Sequence, residues 1–398
     1  MLSFAGLLLA YFFLVKSDER WGWRVGWLFR LSLLLATPWL SDDYARFVWD
    51  GRMQTNGLNP YLYLPSQLVR TYMAPNLGLT PDLFGLLNSP DYYTVYPPFN
   101  QLLFRLAARL GGNDLWTTTV WLRVWILLAE ALTAYLLPRL LRKAALPSRA
   151  GLLYWLNPLV ILELTGNLHF EAVMVAFCLL AVYGFLKQAY VLSGLALAFA
   201  ISTKLLPLIF FPLILKRAGF KTGVWYLAGT GFWVSLGFLP FVSTRLIQNF
   251  ASSLDLYFQK FEFNASLYYL VREAGYWLLG FNIIQTAGLL LSIGTFLGIL
   301  WISWRQMWIT SAVLWITSLY FAAATTVHPW YLTSLVAVSV FTRWRFPLVW
   351  SGTAFLSYHA YGNHPYKENL LIVLIAYGIT YGYAAYDFYQ KRPIRSLN

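Results

Sequence analysis

Apolar runs of roughly 15 to 25 residues alternate with short polar breaks along almost the whole chain. Runs of that length match the hydrocarbon thickness of a bilayer, so the pattern predicts an all-α polytopic membrane protein. Spans are expected over residues 1–15, 25–40, 116–138, 150–165, 172–186 and 222–240, with further crossings after residue 281. The expected total is about 11 to 13 transmembrane helices. Two stretches depart from the pattern. Residues 41–115 carry Pro, Gly and Asn breaks and read as a long first loop with amphipathic helices lying on the membrane. Residues 241–281 form a second polar and aromatic segment. The stretch 190–215 is open to two readings, a single crossing or a helix pair broken at STKLLP. No fixed-period repeat or soluble domain is visible, so residues 1–398 are read as one integral membrane domain.

Charge orients this pattern. Basic residues gather in the breaks, as Arg139, Arg142, Lys143 and Arg149, then Lys216, Arg217 and Lys221, then Arg343 and Arg345, then Lys391, Arg392 and Arg395. These groups mark the cytoplasmic side. The net charge of +13 therefore points to topology and not to nucleic acid. Four polar segments fall together on the outer face: SDDYARFVWDGR (41–52), GNLHFE (166–171), VHPWY (327–331) and YGNHPYKEN (361–369). All four histidines, His169, His328, His359 and His364, lie in or near them. Composition agrees, with 59% hydrophobic and 11% charged residues, against about 25% charged in soluble domains. The single Cys178 lies in an apolar run, so no disulfide is implied. The first residues lack the basic stretch of a secretory signal, and no cleaved leader is expected.

The outer segments hold the candidate chemistry. Asp43, Arg46 and Asp50 share a helix face at i, i+3 and i+7, and Tyr44, Phe47 and Trp49 interleave with them. Charge beside aromatic rings suits a sugar, whose faces stack and whose hydroxyls hydrogen-bond. The plainer alternative is an exposed acid–base ladder with Ser41 or Asp42 as N-cap. Gly57, Asn59 and Pro60 end that helix, and Tyr61 follows. After Tyr96, Pro97 and Pro98 start a helix with Arg105 and Arg109 at i, i+4. These arginines either snorkel to the interface or grip a lipid phosphate. His169 and Glu171 stand at a helix start, and His328 precedes Pro329, Trp330 and Tyr331. His328 or Lys204 is a candidate for stabilising a departing phosphate; the alternative for each histidine is a structural hydrogen bond. A divalent cation has weak support, because no HExxH-type ligand spacing is present and no metal site is expected. Arg30, Arg123, Glu130 and Glu163 lie within apolar spans and are expected to pair inside the bundle. There is no P-loop, no GxGxxG and no GxSxG, so no nucleotide cofactor is expected.

In order, D-Y-x-x-F (43–47), N-G-x-N-P-Y (56–61), Y-x-x-Y-P-P (93–98), N-x-H-x-E (167–171), K-x-x-P (204–207) and H-P-W-Y (328–331) run from residue 43 to residue 331. This order resembles the GT-C superfamily of polyprenyl-phosphate-sugar-dependent glycosyltransferases, most closely its mannosyltransferase branch, which includes GPI mannosyltransferase I and bacterial relatives. The resemblance implies a GT-C-type helical bundle. It implies an inverting transfer of a hexose, mannose favoured, from a polyprenyl-phosphate-sugar to a glycolipid or glycan acceptor outside the cytoplasm, as in a bacterial inner membrane. It implies that Asp43 is the base, with Asp42 beside it leaving that choice open. The GPI-type enzyme has D-x-D here; the contiguous Asp42 and Asp43 weaken any metal inference. Asn59, Pro60, Tyr61, Tyr96, Pro97 and Pro98 match architectural positions, and Lys204 and His328 match positions near the lipid phosphate. The rival is a lipid-linked sugar flippase or transporter, which would use broken helices near the midplane.

Overall fold

A computed structural model describes residues 2–259, 261–305, 307–362 and 367–390. His364 and the last basic group lie outside the described residues. The helices that build the site are α1 (Leu2–Leu14), α2 (Glu19–Ser32), α3 (Asp43–Thr55), α4 (Pro98–Gly111), α5 (Leu115–Lys143), α6 (Glu171–Leu186), α7 (Tyr190–Ile201), α8 (Phe211–Ala218), α9 (Phe220–Phe238), α10 (Ile284–Trp304), α11 (Ile309–Ala323), α12 (Leu332–Ser339), α13 (Phe346–Thr353) and α14 (Leu370–Tyr389). Among the described residues the only β pairing is an isolated bridge between Phe263 and Thr326.

The chain is an all-α polytopic integral membrane protein. Four helices among the described residues are long and apolar enough to cross a bilayer: Leu115–Lys143, Phe220–Phe241, Ile284–Trp304 and Leu370–Tyr389. The pair Pro158–Gly166 and Glu171–Leu186, bent by 110°, passes the same length and apolarity test when taken together, as a broken span or a re-entrant loop. Length alone thus returns fewer spans than the apolar pattern predicts. The reason is local: several apolar runs are broken into short helices. The stretch 190–215 is one of them, with its helix interrupted at STKLLP between Tyr190–Ile201 and Leu206–Phe210. α7 stops at Ile201 because the next carbonyls are taken by α4. Ser202 O accepts from Phe99 N (2.9 Å), and Thr203 O accepts from Asn100 Nδ2 (2.8 Å).

Within the first loop, one helix departs from the pattern. α3 does not lie on a membrane surface; Tyr44 through Gln54 are all buried. The polar stripe of α3 is matched internally. Arg46 Nε donates to Asp50 Oδ1 (2.8 Å), and Gln101 Nε2 on α4 donates to Asp50 Oδ2 (2.9 Å). Gly51 lets the two helices touch, since a Cβ there would stand 2.4 Å from the Phe104 carbonyl oxygen.

Buried charges tie the remaining helices. Arg30 on α2 pairs with Glu130 on α5, and its guanidinium lies 3.6 Å from the Trp155 ring centroid. Arg123 on α5 donates to the carbonyls of Thr165 (2.8 Å), Gly166 (3.2 Å) and Leu34 (2.8 Å). It caps a π-helical segment, Ile161–Gly166, whose last carbonyls would otherwise be unpaired. Leu168 follows in the left-handed region at φ 66°. A π turn and a left-handed leucine in succession make a strained break, a feature that clusters at functional sites.

Candidate active site

One cavity of about 1310 Å³ draws its walls from the first loop, the α6 and α7 ends, α8, α10, α11 and the turn before α12. Its lining divides by element. Asp42, Asp43, Asn88, Tyr96, Glu171, Lys204 and His328 make a polar pole. Leu208, Ile209, Pro212, Gly288, Phe296, Ile299 and Phe321 make an apolar limb between α8, α10 and α11.

Asp43 opens α3 and is partly exposed. Its carboxylate is not used for capping; Ser41 Oγ accepts from the Asp43 backbone N–H instead (3.3 Å). Asn88 Nδ2 donates to Asp43 Oδ1 (2.9 Å), and the Tyr96 hydroxyl donates to Oδ2 across 3.4 Å. One oxygen is therefore fixed and the other is only loosely held. Asp42, the N-cap residue, makes no side-chain cap bond and is exposed. Partial desolvation first, and the neighbouring Asp43 second, raise its carboxyl above the usual value.

Tyr96 stands between Asp43 and Lys204, whose Nζ lies 5.4 Å from the tyrosine ring centroid. Lys204 occupies the α7 break and pairs with Glu171 Oε1 at 3.1 Å. His328, in the turn before Pro329, is held down to about 3 by burial and by the Lys204 ammonium. It is therefore neutral near pH 7. Trp330 stacks between His328 (4.3 Å) and His169 (3.8 Å). Tyr331 also lines the cavity.

Of the residues singled out by sequence, Asp42, Asp43, Tyr96, Glu171, Lys204, His328, Trp330 and Tyr331 meet in this cavity. His169 does not reach it; the ring is buried behind Trp330, with Nε2 3.3 Å from Glu163 Oε2. The three arginines singled out by sequence, Arg46 for a sugar or phosphate and Arg105 and Arg109 for a lipid phosphate, stand elsewhere. Arg46 is buried, bonded to Asp50 and to the carbonyls of Ser89 (3.1 Å) and Tyr92 (2.9 Å), so it shapes the cavity rim from behind. Arg105 faces a separate groove of about 640 Å³ that also holds Asn59. Arg109 is exposed on α4. Tyr44 and Trp49 are buried on α3, and Tyr61 donates its hydroxyl to Tyr96 O (2.6 Å), an architectural bond. Helical spacing identified a shared face but not what packs against it. Among the described residues no three His, Cys, Asp or Glu side chains gather as metal ligands.

Three supporting residues received no role from the sequence, although one of them, Asn167, opens the N-x-H-x-E stretch. Asn88 steadies Asp43 from a Ser-Pro turn with no periodic signal. Asn167 Oδ1 accepts from the backbone N–H of Trp39 (3.2 Å) and Leu40 (3.1 Å), fastening the chain just before Asp42 to the strained break. Its Nδ2 donates to Glu163 Oε1 (3.2 Å), which also accepts the hydroxyl of the third, Tyr358. An asparagine at the end of an apolar run was the available signal for Asn167.

The fold and site together define an all-helical membrane protein with a carboxylate at the polar pole of a partly apolar cavity. Residues 1–218 match the family described as alpha-(1->6)-mannopyranosyltransferase, N-terminal domain, and the chain belongs to that family. Over 165 residues it is 27% identical to an alpha-(1->6)-mannopyranosyltransferase of Mycobacterium tuberculosis, a stretch that is 39% of this chain and 25% of the relative. Over 159 residues it is 26% identical to a protein of Mycolicibacterium smegmatis named a probable alpha-(1->6)-mannopyranosyltransferase, covering 38% of this chain and 26% of that one. The matched part thus spans about a quarter of each relative's length.

Proposed function

We propose that this protein is a glycosyltransferase that moves a mannose from a polyprenyl-phosphate carrier to an acceptor hydroxyl on the extracytoplasmic side of the membrane. Membership of the mannopyranosyltransferase family supports the sugar, and the positive-inside charge pattern supports the face. The observation that carries the mechanism is Asp43, a partly exposed carboxylate with one loosely held oxygen at the polar pole.

In this reading Asp43 takes the proton of the acceptor hydroxyl as the new bond forms. The acceptor oxygen attacks the anomeric carbon, the bond from that carbon to the phosphate oxygen breaks, and the lipid phosphate leaves from the opposite face with the electron pair. The anomeric configuration inverts. Lys204 and His328 are the cavity groups suited to the departing phosphate, one by charge and one by hydrogen bond. One carboxylate is enough, because the phosphate leaves without being protonated; glycosidases need two. The apolar limb suits the prenyl tail.

The test is transfer by purified protein from a panel of radiolabelled polyprenyl-phosphate sugars to acceptors in membrane lipid extract. Wild type is expected to use the mannosyl donor, and Asp43→Asn to lose roughly 10²- to 10⁴-fold in turnover while remaining folded. Undiminished transfer by Asp43→Asn would assign the base to Asp42. The rival transporter reading draws on the 110° bend between Pro158–Gly166 and α6. Its signature is labelled lipid crossing liposome bilayers with no transfer from any donor.

A further inference from the structure

We propose that Trp39 and Tyr92 form a sugar-stacking platform at the mouth of the cavity, and that this platform holds the units of an oligosaccharide acceptor behind the one whose hydroxyl attacks. This rests on the glycosyl-transfer reading above.

A sugar offers C–H faces that lie against aromatic rings and hydroxyls that hydrogen-bond, so a site for it mixes flat rings with polar groups. The rings interleaved with charge on α3 cannot serve, because Tyr44, Phe47 and Trp49 are buried. The rings at the mouth are open. Trp39 is 87% exposed and Tyr92 39%, and both line the same cavity as Asp43.

Both rings stand on backbone that is fixed from behind by a buried side chain. Asn167 Oδ1 accepts from the Trp39 backbone N–H (3.2 Å). Arg46 Nη1 donates to the Tyr92 carbonyl (2.9 Å). Trp and Tyr give a large contact area with only two side-chain torsions to order, so a fixed backbone turns them into a rigid platform.

Each ring is also close along the chain to the candidate base. Trp39 precedes Asp43 by four residues. Tyr92 follows Asn88 by four residues, and Asn88 Nδ2 donates to Asp43 Oδ1 (2.9 Å). The lining that accompanies the rings is polar, with Ser41, Asp42, Asn88 and Ser89. A prenyl chain cannot use those groups, and it has apolar walls in the limb of Leu208, Ile209 and Phe296. A carbohydrate uses the ring faces and the polar groups together.

The experiment measures kcat and KM for wild type, Trp39→Ala, Trp39→Phe and Tyr92→Ala, with a mannosyl donor and with mannose oligosaccharides of increasing length as acceptors. Wild type should prefer the longer acceptors. In Trp39→Ala the KM for a long acceptor should rise roughly 10-fold with a far smaller change in kcat, because the lost contact is made equally before and during transfer. The KM for a monosaccharide should move much less, so the preference for length shrinks. Trp39→Phe keeps a ring and should recover most of the affinity. Tyr92→Ala should act in the same direction as Trp39→Ala. Saturation-transfer NMR with the same oligosaccharides reads binding without turnover, and the signal should weaken in both alanine variants. Unchanged acceptor KM in both alanine variants, with transfer intact, overturns the platform and leaves the transferase reading standing. A rise in donor KM alone also overturns it, and gives Trp39 to the lipid or the membrane interface. Oligosaccharide binding that weakens in the variants, with no transfer from any donor by wild type, keeps the platform and overturns the transferase reading. Absence of both binding and transfer in wild type overturns both.

Discussion

Two of the ion pairs that join helices in this molecule are built differently. Arg30–Glu130 joins α2 to α5 with both side chains at 0% exposure. Both Glu130 oxygens are engaged, one by Arg30 and one by the Tyr154 hydroxyl (3.3 Å), and Trp155 covers the guanidinium. Lys204–Glu171 joins the α7 break to α6, with 22% of the lysine and 4% of the glutamate side chain exposed. It opens onto the cavity and leaves Glu171 Oε2 unpaired. The Glu130 carboxylate is complete without a ligand, although Arg30 Nη2 has no hydrogen-bond partner; the Glu171 carboxylate keeps one oxygen unpaired. Burial of charge therefore does not by itself mark a functional residue.

The comparison breaks most visibly at the sealed pair. Glu130→Ala should lower stability by about 3 to 5 kcal/mol, seen as a large drop in Tm in detergent, because it strands a buried guanidinium. The double variant Arg30→Met with Glu130→Leu should recover most of that loss, since replacing both charges removes the desolvation penalty along with the attraction. A double variant as unstable as the single one would mean that the pair is more than structural. Lys204→Met should differ in kind. It strands the buried Glu171 carboxylate and so lowers Tm, but less than Glu130→Ala because the lysine is partly exposed, while kcat/KM for the lipid donor falls roughly 10- to 100-fold. The same substitution removes one of the two causes that hold the His328 imidazole low, so its titration, followed by NMR, should move up from about 3. The smallest effect is expected at Asn167→Ala, which leaves the Trp39 and Leu40 N–H groups without their acceptor. It should cost about 1 to 2 kcal/mol, appearing as a several-fold loss of kcat with donor KM unchanged. A change in KM alone would show that Asn167 shapes binding and not the placement of Asp43.

The two pairs also differ in how legible they are from sequence. That Arg30 and Glu130 would each find a partner inside the bundle followed from their apolar surroundings, since neither has a solvated alternative; that they would pair with each other did not. The break at STKLLP followed from charge, because lysines on both flanks of 190–215 could not share one side with a single crossing. The grouping of Asp43, Tyr96, Glu171, Lys204 and His328 followed from motif order and topology. The role of Arg46 did not follow. Its spacing from Asp43 and Asp50 fitted a shared exposed face, but the Gln101 side chain and the carbonyls of Ser89 and Tyr92 occupy that side of α3. The same holds for Arg105, whose groove is formed with α7 and α9, segments far along the chain.

Composition and pattern alone thus determined the solvent, the helical class and the polar segments from which a site could be made. Those properties are sums over local residues: how long an apolar run lasts, and on which side the lysines and arginines fall. Tertiary structure decided which polar groups were completed by protein and which were left open. That is a question of distance between residues as remote as Asn88 and Asp43, Tyr358 and Glu163, or Lys204 and Glu171. A carboxylate inside a membrane protein has the same letter in the sequence whether its second oxygen meets a tyrosine, as in Glu130, or no donor side chain, as in Glu171.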